Sequence, residues 1–485
     1  MSVLLVLDVG TTTLRAAIVD EHLDIVDIES RSCPPDSPHP GLVEFDATAM
    51  ADTALAAARA VLDRAAEQPI AVGITNQRAS TVVWDRDTGE PIAPALGWQD
   101  LRTVIACITA RAEHGLMLAP NQSATKVAWL LDNVAGARDR DVCFGTVDTW
   151  LAWTLSDGSL HVTDHTNAAV TGLLAGDHTG WSERNAGLLG VPMSILPTVV
   201  SSSEVVGAAT ALDGAPPIAA LVGDQQGSLV GQGCVVPGLA KITFGTGAML
   251  DMCTGVAPPS SSQRAAHGTF PIVAWSHDGT LTRGIEAIML SAGTNVEWLR
   301  DGLGLIESAA ASHDFAASVD SADGVVYVPA LLGLGTPHWD YGARGTLLGV
   351  TRGTTAAHVV RAVLDGVAQR GADLIDAAEA DSGSTIAAIR TDGGMSVNPT
   401  FVQALADLSV RPVEVSPASD ATTRGAAFLA GLAVGVWDDV RDAAVLWTPA
   451  ATVQPASDRS ADRAHWNEAI MRSRAWIPEL SALDF

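Results

Sequence analysis

The stretch at residues 8–13, DVGTTT, has the composition of a turn that could hold a phosphate. A tight turn can point successive backbone N–H groups inward, and the hydroxyls of Thr11, Thr12 and Thr13 add donors, so an anion can be held without lysine. Arg15 can contribute positive charge. An ordinary hairpin turn with threonines in its strands is the alternative that this motif alone leaves open.

Two later glycine motifs invite the same question. Gly245-Thr246-Gly247 follows a short apolar run and is a weaker version of the first turn. Gly393-Gly394 opens a helical stretch, and two glycines there could let a planar ring approach the backbone. Taken singly, each of these is also compatible with a plain turn.

Residues 223–226, GDQQ, place one carboxylate and two carboxamides directly after the apolar run 218–222. That run predicts a buried strand, because it is short, continuous and ends at a glycine. Asp224, Gln225 and Gln226 would then stand at the mouth of the strand. Since Gly-Asp is common turn chemistry, the string by itself leaves a structural turn open.

The elements that must position these motifs alternate between strand and helix, which predicts an α/β architecture with helices on the sheet faces. Short β-branched runs near Gly, Asp or Asn predict strands at residues 4–7, 71–74, 242–244 and 325–328. Longer periodic stretches predict amphipathic helices at residues 48–66 and 358–378.

A weak internal repeat organises the chain. Residues 4–20 and 240–255 each contain a strand, a turn of glycine and threonine, and a second strand, and residues 389–408 place Asp-Gly-Gly between an apolar run and a helix. Two such hairpins half a chain apart predict two similar domains that face a shared cleft. We place the boundary near residues 228–240 and divide the chain into residues 1–230 and 231–485.

Bulk composition excludes several classes of protein. The chain of 485 residues is too long for one core, and its net charge of −27 repels nucleic acid and anionic membranes. The five cysteines are scattered without CxxC spacing, so neither a zinc site nor a disulfide framework is indicated. The N-terminus lacks a basic region before its short apolar run, and no apolar run is long enough to cross a bilayer, so we expect a cytoplasmic protein.

The common nucleotide and hydrolase motifs are missing from the sequence. The two lysines, Lys126 and Lys241, do not follow glycine, which rules out a Walker A loop. The sequence also contains no strand-linked GxGxxG, no HExxH and no GxSxG. Any bound phosphate must therefore be held by something else, and the first glycine–threonine turn is a good candidate.

The three glycine motifs together resemble the phosphate-1, phosphate-2 and adenosine motifs of the actin-like ATPase superfamily. Within it, the chain is similar to the FGGY carbohydrate kinases, and among these most to the glycerol kinases. The resemblance runs over nearly the whole chain in the right order. The segments that carry it are residues 76–103, 144–172, 223–233, 333–362 and 425–437.

The resemblance implies a role for each motif residue in a transfer of phosphate from ATP. Asp224 matches the general base that takes a proton from the attacking hydroxyl, a task that suits a rigidly held carboxylate. Gln225 would hydrogen-bond a substrate hydroxyl, and Asp8, with Asp224, would position Mg²⁺. Arg78 and Trp98 match the family's substrate arginine and indole wall.

On the nucleotide side, the resemblance implies further contacts. The first turn and Arg15 would bind phosphate, as would Thr246 and Gly247 of the second turn. The remaining matches are Gly293 and Glu297 in a segment that lines the nucleotide, and Gly394 and Asn398 near the base, although Pro399 departs from the family pattern there.

The acceptor pocket departs from the glycerol kinases at three positions. Their substrate-binding glutamate is replaced by Ala79, an aromatic residue by Asn121 and Gln122, and a phenylalanine by Met249. Asp100, in a W-x-D-x-R pattern, is similar to the sugar-kinase branches and is expected to bind substrate hydroxyls. The replaced side chains predict a roomier pocket. Losing a buried charged acceptor should cost about 1.5–3 kcal/mol, so glycerol is not expected to be the best substrate.

We therefore predict two actin-like (ribonuclease H-like) α/β ATPase domains with a catalytic cleft between them. The predicted activity is ATP- and Mg²⁺-dependent phosphorylation of a small polyol or sugar, with a C4–C6 polyol or ketose favoured. A true glycerol kinase is the alternative, since another residue could supply the carboxylate. A non-catalytic sugar- or nucleotide-binding regulator would not need both Asp8 and Asp224. A homodimer or homotetramer is left open.

Overall fold

The computed structural model describes residues 2–258, 264–417 and 420–483. Its first half is built on twelve strands: β1 (Val3–Val9), β2 (Thr13–Asp20), β3 (Ile25–Ser32), β4 (Glu44–Phe45), β5 (Val72–Asn76), β6 (Val82–Asp85), β7 (Ala95–Leu96), β8 (Val142–Gly145), β9 (Val162–Asp164), β10 (Thr198–Val200), β11 (Ser203–Ala208) and β12 (Pro217–Gly223). Five of these form a sheet in the order β3-β2-β1-β5-β12, in which β1, β5 and β12 are parallel.

The second half repeats this order. Its described strands are β13 (Leu239–Phe244), β14 (Ala248–Gly255), β15 (Phe270–His277), β16 (Thr280–Met289), β17 (Val326–Val328), β18 (Thr346–Leu348), β19 (Ala388–Asp392), β20 (Val413–Val415) and β21 (Ala451–Val453). The order β16-β14-β13-β19-β20 has an antiparallel hairpin followed by two parallel strands, as in the first half. The predicted pair of similar α/β domains with matching hairpins is thus confirmed.

Helices cover both sheets. In the described part of the chain they are α1 (Ala47–Leu62), α2 (Val104–His114), α3 (Ala124–Asn133), α4 (Val147–Leu155), α5 (His165–Ala169), α6 (Glu183–Leu188), α7 (Asp224–Gly231), α8 (Thr294–Glu297), α9 (Ala311–Ala317), α10 (Ala356–Ser382), α11 (Pro399–Ser409), α12 (Ala421–Ala433), α13 (Asp442–Leu446), α14 (Ser460–Ser473) and α15 (Pro478–Ser481). The two predicted helices correspond to α1 and α10. Helix α1 begins where the Asp46 side chain accepts from the Ala49 N–H, a standard N-cap.

Two helices lie between the sheets and connect the halves. Helix α7 follows β12, and α12 follows β20 but packs on the sheet of the first half, so both contribute to one buried apolar cluster. Their backbones cross closely at glycines. A Cβ on Gly425 would lie 1.8 Å from the carbonyl oxygen of Gly227, and one on Gly231 would lie 1.9 Å from that of Ala421. Side chains at this crossing would force the helices apart.

Strand β11 pairs in parallel with β15 at Ser203 and His277, and this pairing joins the strands of both halves into one sheet of thirteen strands. A separate apolar cluster is formed by residues of α2, α3, β6, β8 and the segments that connect them. The boundary at residues 230 and 231 stays a prediction. Within the described residues, no helix combines the length and apolar character needed to cross a bilayer.

Candidate active site

The site begins at the ends of three parallel strands. Strand β1 is in register with β5 and β12, so Val9, Asn76 and Gly223 lie side by side at one edge of the sheet. The chain continues from these points into the first glycine–threonine turn, into Arg78, and into Asp224 at the start of α7. In open α/β sheets, ligands bind at such carboxyl ends of strands.

A cavity of about 270 Å³ opens beside these strand ends. This is near the lower limit for small-molecule sites and suits a compact ligand. It is lined by seven of the eight residues predicted to contact the acceptor: Arg78, Ala79, Trp98, Asn121, Asp224, Gln225 and Met249. Thr11 of the first turn also lines it, so the predicted acceptor and phosphate motifs meet at one cavity.

Asp224 is the first residue of α7 and keeps 31% of its side-chain surface exposed. Its Oδ1 accepts from the Gln225 N–H at 2.8 Å and lies 3.5 Å from Nε of Arg78. Burial raises the pKa of Asp224, and the nearby Arg78 charge partly opposes that shift. The result is a fixed carboxylate whose proton affinity is increased, as a general base requires.

Arg78 joins the two halves of the molecule. Its Nη2 donates to Glu286 on β16 at 2.7 Å, while Nη1 is buried without a hydrogen-bond partner in the described structure. Burial alone would lower the pKa of Arg78, but Glu286, Asp224 and Asp251 outweigh it and raise the pKa. The unpaired N–H groups are therefore available to an oxygen atom of a ligand. Nothing in the sequence pattern identified Glu286.

Asp100 was expected to bind substrate, and the structure contradicts this. Its side chain is fully buried outside the cavity, where Oδ1 accepts from Nε of Arg102 at 2.8 Å and Oδ2 from Nη2 of the same arginine at 2.8 Å. Oδ2 also accepts from the Val43 N–H at 2.7 Å. These charge-assisted bonds occupy the carboxylate and lower its pKa despite burial, so Asp100 fastens the loop behind Trp98.

The altered pocket positions lie where the sequence placed them. Ala79 has a left-handed backbone, with φ of 63°, and its small side chain lines the cavity. The cavity lining also contains His178, which sequence reasoning missed because it lies in a polar loop segment without a motif. His178 is 6% exposed, and its Nδ1 is buried without a partner among the described residues. Burial lowers the pKa of His178 to about 4, so the ring is neutral near pH 7.

Asp8 lies on β1 behind the first turn, and the charge of the nearby Asp224 contributes to raising its pKa. Its Oδ2 accepts from Oγ1 of Thr423 on α12 at 3.0 Å and lies 3.6 Å from Nη1 of Arg15. Burial raises the pKa of Asp8 to about 6, although Arg15 and Thr423 favour its charged form. Mg²⁺ typically uses one or two carboxylates together with substrate phosphates, and the carboxylates of Asp8 and Asp224 fit that donor set. The described residues contain no cluster of three metal-ligating side chains.

The first glycine–threonine turn is a tight hairpin. The Gly10 N–H donates to the Thr13 carbonyl at 3.0 Å, Oγ1 of Thr11 accepts from Nε1 of Trp98 at 3.1 Å, and Thr12 is exposed at the tip.

In the second turn, Thr246 is exposed at the tip and Gly247 is half-buried. The Gly293 N–H donates to the Gly245 carbonyl at 2.8 Å, and a Cβ on Gly293 would collide with that oxygen. Glycine there keeps the segment before α8 against the turn.

The remaining predicted nucleotide contacts lie at the surface of the second half. Glu297 and Gly394 are exposed, so both are accessible to a ligand. Asn398 is engaged differently from our expectation. It caps α11 by accepting from the Phe401 N–H at 3.1 Å, and its Nδ2 donates to Oγ of Ser312 at 2.9 Å. A residue bound at both ends of its amide shapes the helix start, and a contact of Asn398 with the base stays a prediction.

Two family models match the chain. The N-terminal domain of the FGGY family of carbohydrate kinases matches residues 3–231, and the C-terminal domain matches residues 240–434.

Curated relatives and solved structures are similar over nearly the full length. A glycerol kinase of Aromatoleum aromaticum is 44% identical over 98% of this chain and 100% of its own, and one of Deinococcus radiodurans is 43% identical over 99% of each. A crystal structure of Plasmodium falciparum glycerol kinase with ADP has a TM-score of 0.91 at 29% identity over 98% of each chain. A ligand-bound xylulose kinase of Lactobacillus acidophilus, 19% identical over 99% of each chain with a TM-score of 0.85, shares the fold.

Proposed function

The chain belongs to the FGGY family of carbohydrate kinases, and we propose that it transfers the γ-phosphoryl group of ATP to a hydroxyl of glycerol, forming glycerol 3-phosphate. The family makes it an ATP-dependent alcohol phosphotransferase, which sets aside the non-catalytic regulator. Glycerol is supported by the names of relatives that match from end to end. This choice replaces the longer polyol or ketose as our first candidate.

The observation that carries the proposal is that Asp224 lines the acceptor cavity. A bound hydroxyl beside Asp224 would pass its proton to the carboxylate as its oxygen forms a bond to the γ-phosphorus. The bond from phosphorus to the bridging oxygen breaks, and ADP leaves with that oxygen. Arg78 orients the carboxylate and offers its free Nη1–H to a second hydroxyl of the acceptor.

The phosphates would be held by the two glycine–threonine turns, which supply backbone N–H groups and the hydroxyls of Thr12 and Thr246. Asp8 and Asp224 would hold Mg²⁺ together with the phosphates, and the ion would supply positive charge to the transferring group. In a chain with a net charge of −27, such local positive charge is needed to receive a polyanion.

A second candidate, a C4–C6 polyol or ketose, is favoured by one observation. Ala79, Met249 and Asn121 line the cavity, where the glycerol kinases are expected to have a glutamate and two aromatic residues. These smaller or more flexible side chains would leave room for an acceptor of more than three carbons. Location in the cytoplasm and assembly as a homodimer or homotetramer stay predictions.

The test is an ATP-consumption screen of the purified chain with glycerol, erythritol, xylitol, sorbitol, ribulose and xylulose. The first candidate predicts the highest kcat/KM with glycerol, and the second predicts it with a longer acceptor. Asp224→Asn should lower kcat by about 10²–10⁴-fold with either, because that is the usual contribution of a positioned base. Turnover of the folded variant near the wild-type rate would contradict the assignment of Asp224.

A further inference from the structure

Lysine is almost missing from this chain, and the two lysines it has are both beside the acceptor cavity. Of 28 basic residues, Lys126 and Lys241 are the only lysines, and arginine fills the other positions. Both lysines are fully buried. Lysine is rarely buried unless its ammonium group is well paired, so each needs a specific reason to be there.

Lys126 on α3 connects two walls of the cavity. Its Nζ donates to the carbonyl oxygens of Gly97 at 2.7 Å, Trp98 at 3.1 Å and Asn121 at 3.5 Å. The side chains of Trp98 and Asn121 both line the cavity but come from segments more than twenty residues apart in the chain. One ammonium group therefore fixes the spacing between the indole wall and the Asn121 loop.

Lys241 on β13 acts from the other half of the molecule. Its Nζ donates to Oε1 of Gln225 at 2.6 Å and to Oγ1 of Thr243 at 3.1 Å, and it lies 2.7 Å from Oδ2 of the buried Asp251. Because an ammonium group can only donate, it holds the oxygen end of the Gln225 amide. The NH₂ end, with two donors, is then the end that remains for the cavity.

We propose that Lys126 and Lys241 are positioning residues of the acceptor site, one setting the distance between its walls and the other setting the orientation of Gln225. The proposal rests on the proposed kinase function. Arginine cannot replace either residue, since three tetrahedral donors on a compact group suit converging carbonyl oxygens, whereas a planar guanidinium does not. This accounts for lysine at these two positions in a chain that otherwise uses arginine.

The test compares Lys126→Met, Lys126→Arg, Lys241→Met and Lys241→Arg with wild type in steady-state kinetics, varying the acceptor and ATP separately. The acceptor is the alcohol from the screen above that wild type uses best. We expect the KM for the acceptor to rise about tenfold or more and the KM for ATP to stay within about twofold, with no rescue by arginine. Arg370→Met is the matched control, because Arg370 is equally buried but pairs with Asp373 away from the cavity.

An unchanged acceptor KM in the folded methionine variants, or an equal rise in Arg370→Met, would overturn the proposal. Should the lysine variants fail to fold, wild type labelled with ¹⁵N-lysine has only two Nζ signals to follow. Both should shift when the same acceptor saturates the enzyme, and no shift would overturn the proposal. Wild type that phosphorylates none of the six alcohols would instead overturn the proposed function, and the roles of the lysines with it.

Discussion

Replacing Ala79 by glutamate should shift the preference of the enzyme toward glycerol. Ala79 lines the cavity at the position where the resemblance to glycerol kinases places a carboxylate. A glutamate there would point a charged acceptor toward the hydroxyls of the ligand. Its added length would also occupy the space that a C5 acceptor requires.

The expected size of the effect follows from two contributions. A regained hydrogen bond to a charged group contributes about 1.5–3 kcal/mol, and excluding one group from a pocket contributes about 1–3 kcal/mol. The left-handed backbone at Ala79, with φ of 63°, adds little, because the penalty arises from the Cβ that alanine already carries. Either contribution alone corresponds to about 10- to 200-fold, so the swing in relative kcat/KM between glycerol and xylitol should be at least of that size.

The assay is a paired measurement of kcat/KM for glycerol and xylitol in wild type, Ala79→Glu and Ala79→Gln. Glutamine has nearly the same size without the charge, so it separates the gain in hydrogen bonding from the loss of space. The glutamate variant should favour glycerol more than the glutamine variant does. A folded Ala79→Glu enzyme whose preference is unchanged or moves toward xylitol would refute the reasoning.

Three further predictions concern other sites. Burial raises the pKa of Asp148 to about 7, so between about pH 4 and 7 the folded chain keeps a proton that the unfolded chain loses, and stability falls as the pH rises. In denaturant titrations across that pH range, Asp148→Asn should reduce the fall in unfolding free energy by up to ~1.4 kcal/mol per pH unit. An unchanged dependence of the unfolding free energy on pH would contradict the raised pKa of Asp148. His178→Phe replaces the imidazole by an aromatic ring without nitrogens, so the acceptor KM should rise about tenfold while the KM for ATP stays constant. Unchanged acceptor kinetics would show that His178 does not contact the acceptor. Gly425→Ala should cost about 1–3 kcal/mol or more of unfolding free energy, because its Cβ would collide with the Gly227 carbonyl, whereas Gly187→Ala in open space should be neutral or stabilising. Equal stability of these two glycine variants would contradict the close helix crossing.

The sequence by itself determined the local elements and the motifs. Strand β12, the two hairpins and the long helix α10 were predictable because hydrophobic periodicity and glycine turns act within a few residues. The same local signals singled out Asp224 and the first turn, whereas Ala79 was singled out by the resemblance to the glycerol kinases. Each of these depends on neighbours in the chain, so a linear pattern is sufficient to find it.

Only the tertiary structure decided which of the polar residues face the cavity. Asp100 follows Trp98 by two residues, yet the turn that the Asp100 N–H closes on the Gly97 carbonyl directs its side chain to Arg102. Asn398 caps α11, with both ends of its amide bonded within the domain. Glu286 reaches Arg78 from β16 of the other half, 208 positions away in the chain. Lys241 reaches Gln225 from β13 of the other half, although only 16 positions separate the two residues in the chain. Side-chain direction and contacts between domains depend on how the two sheets close over α7 and α12, and no short-range pattern records that closure.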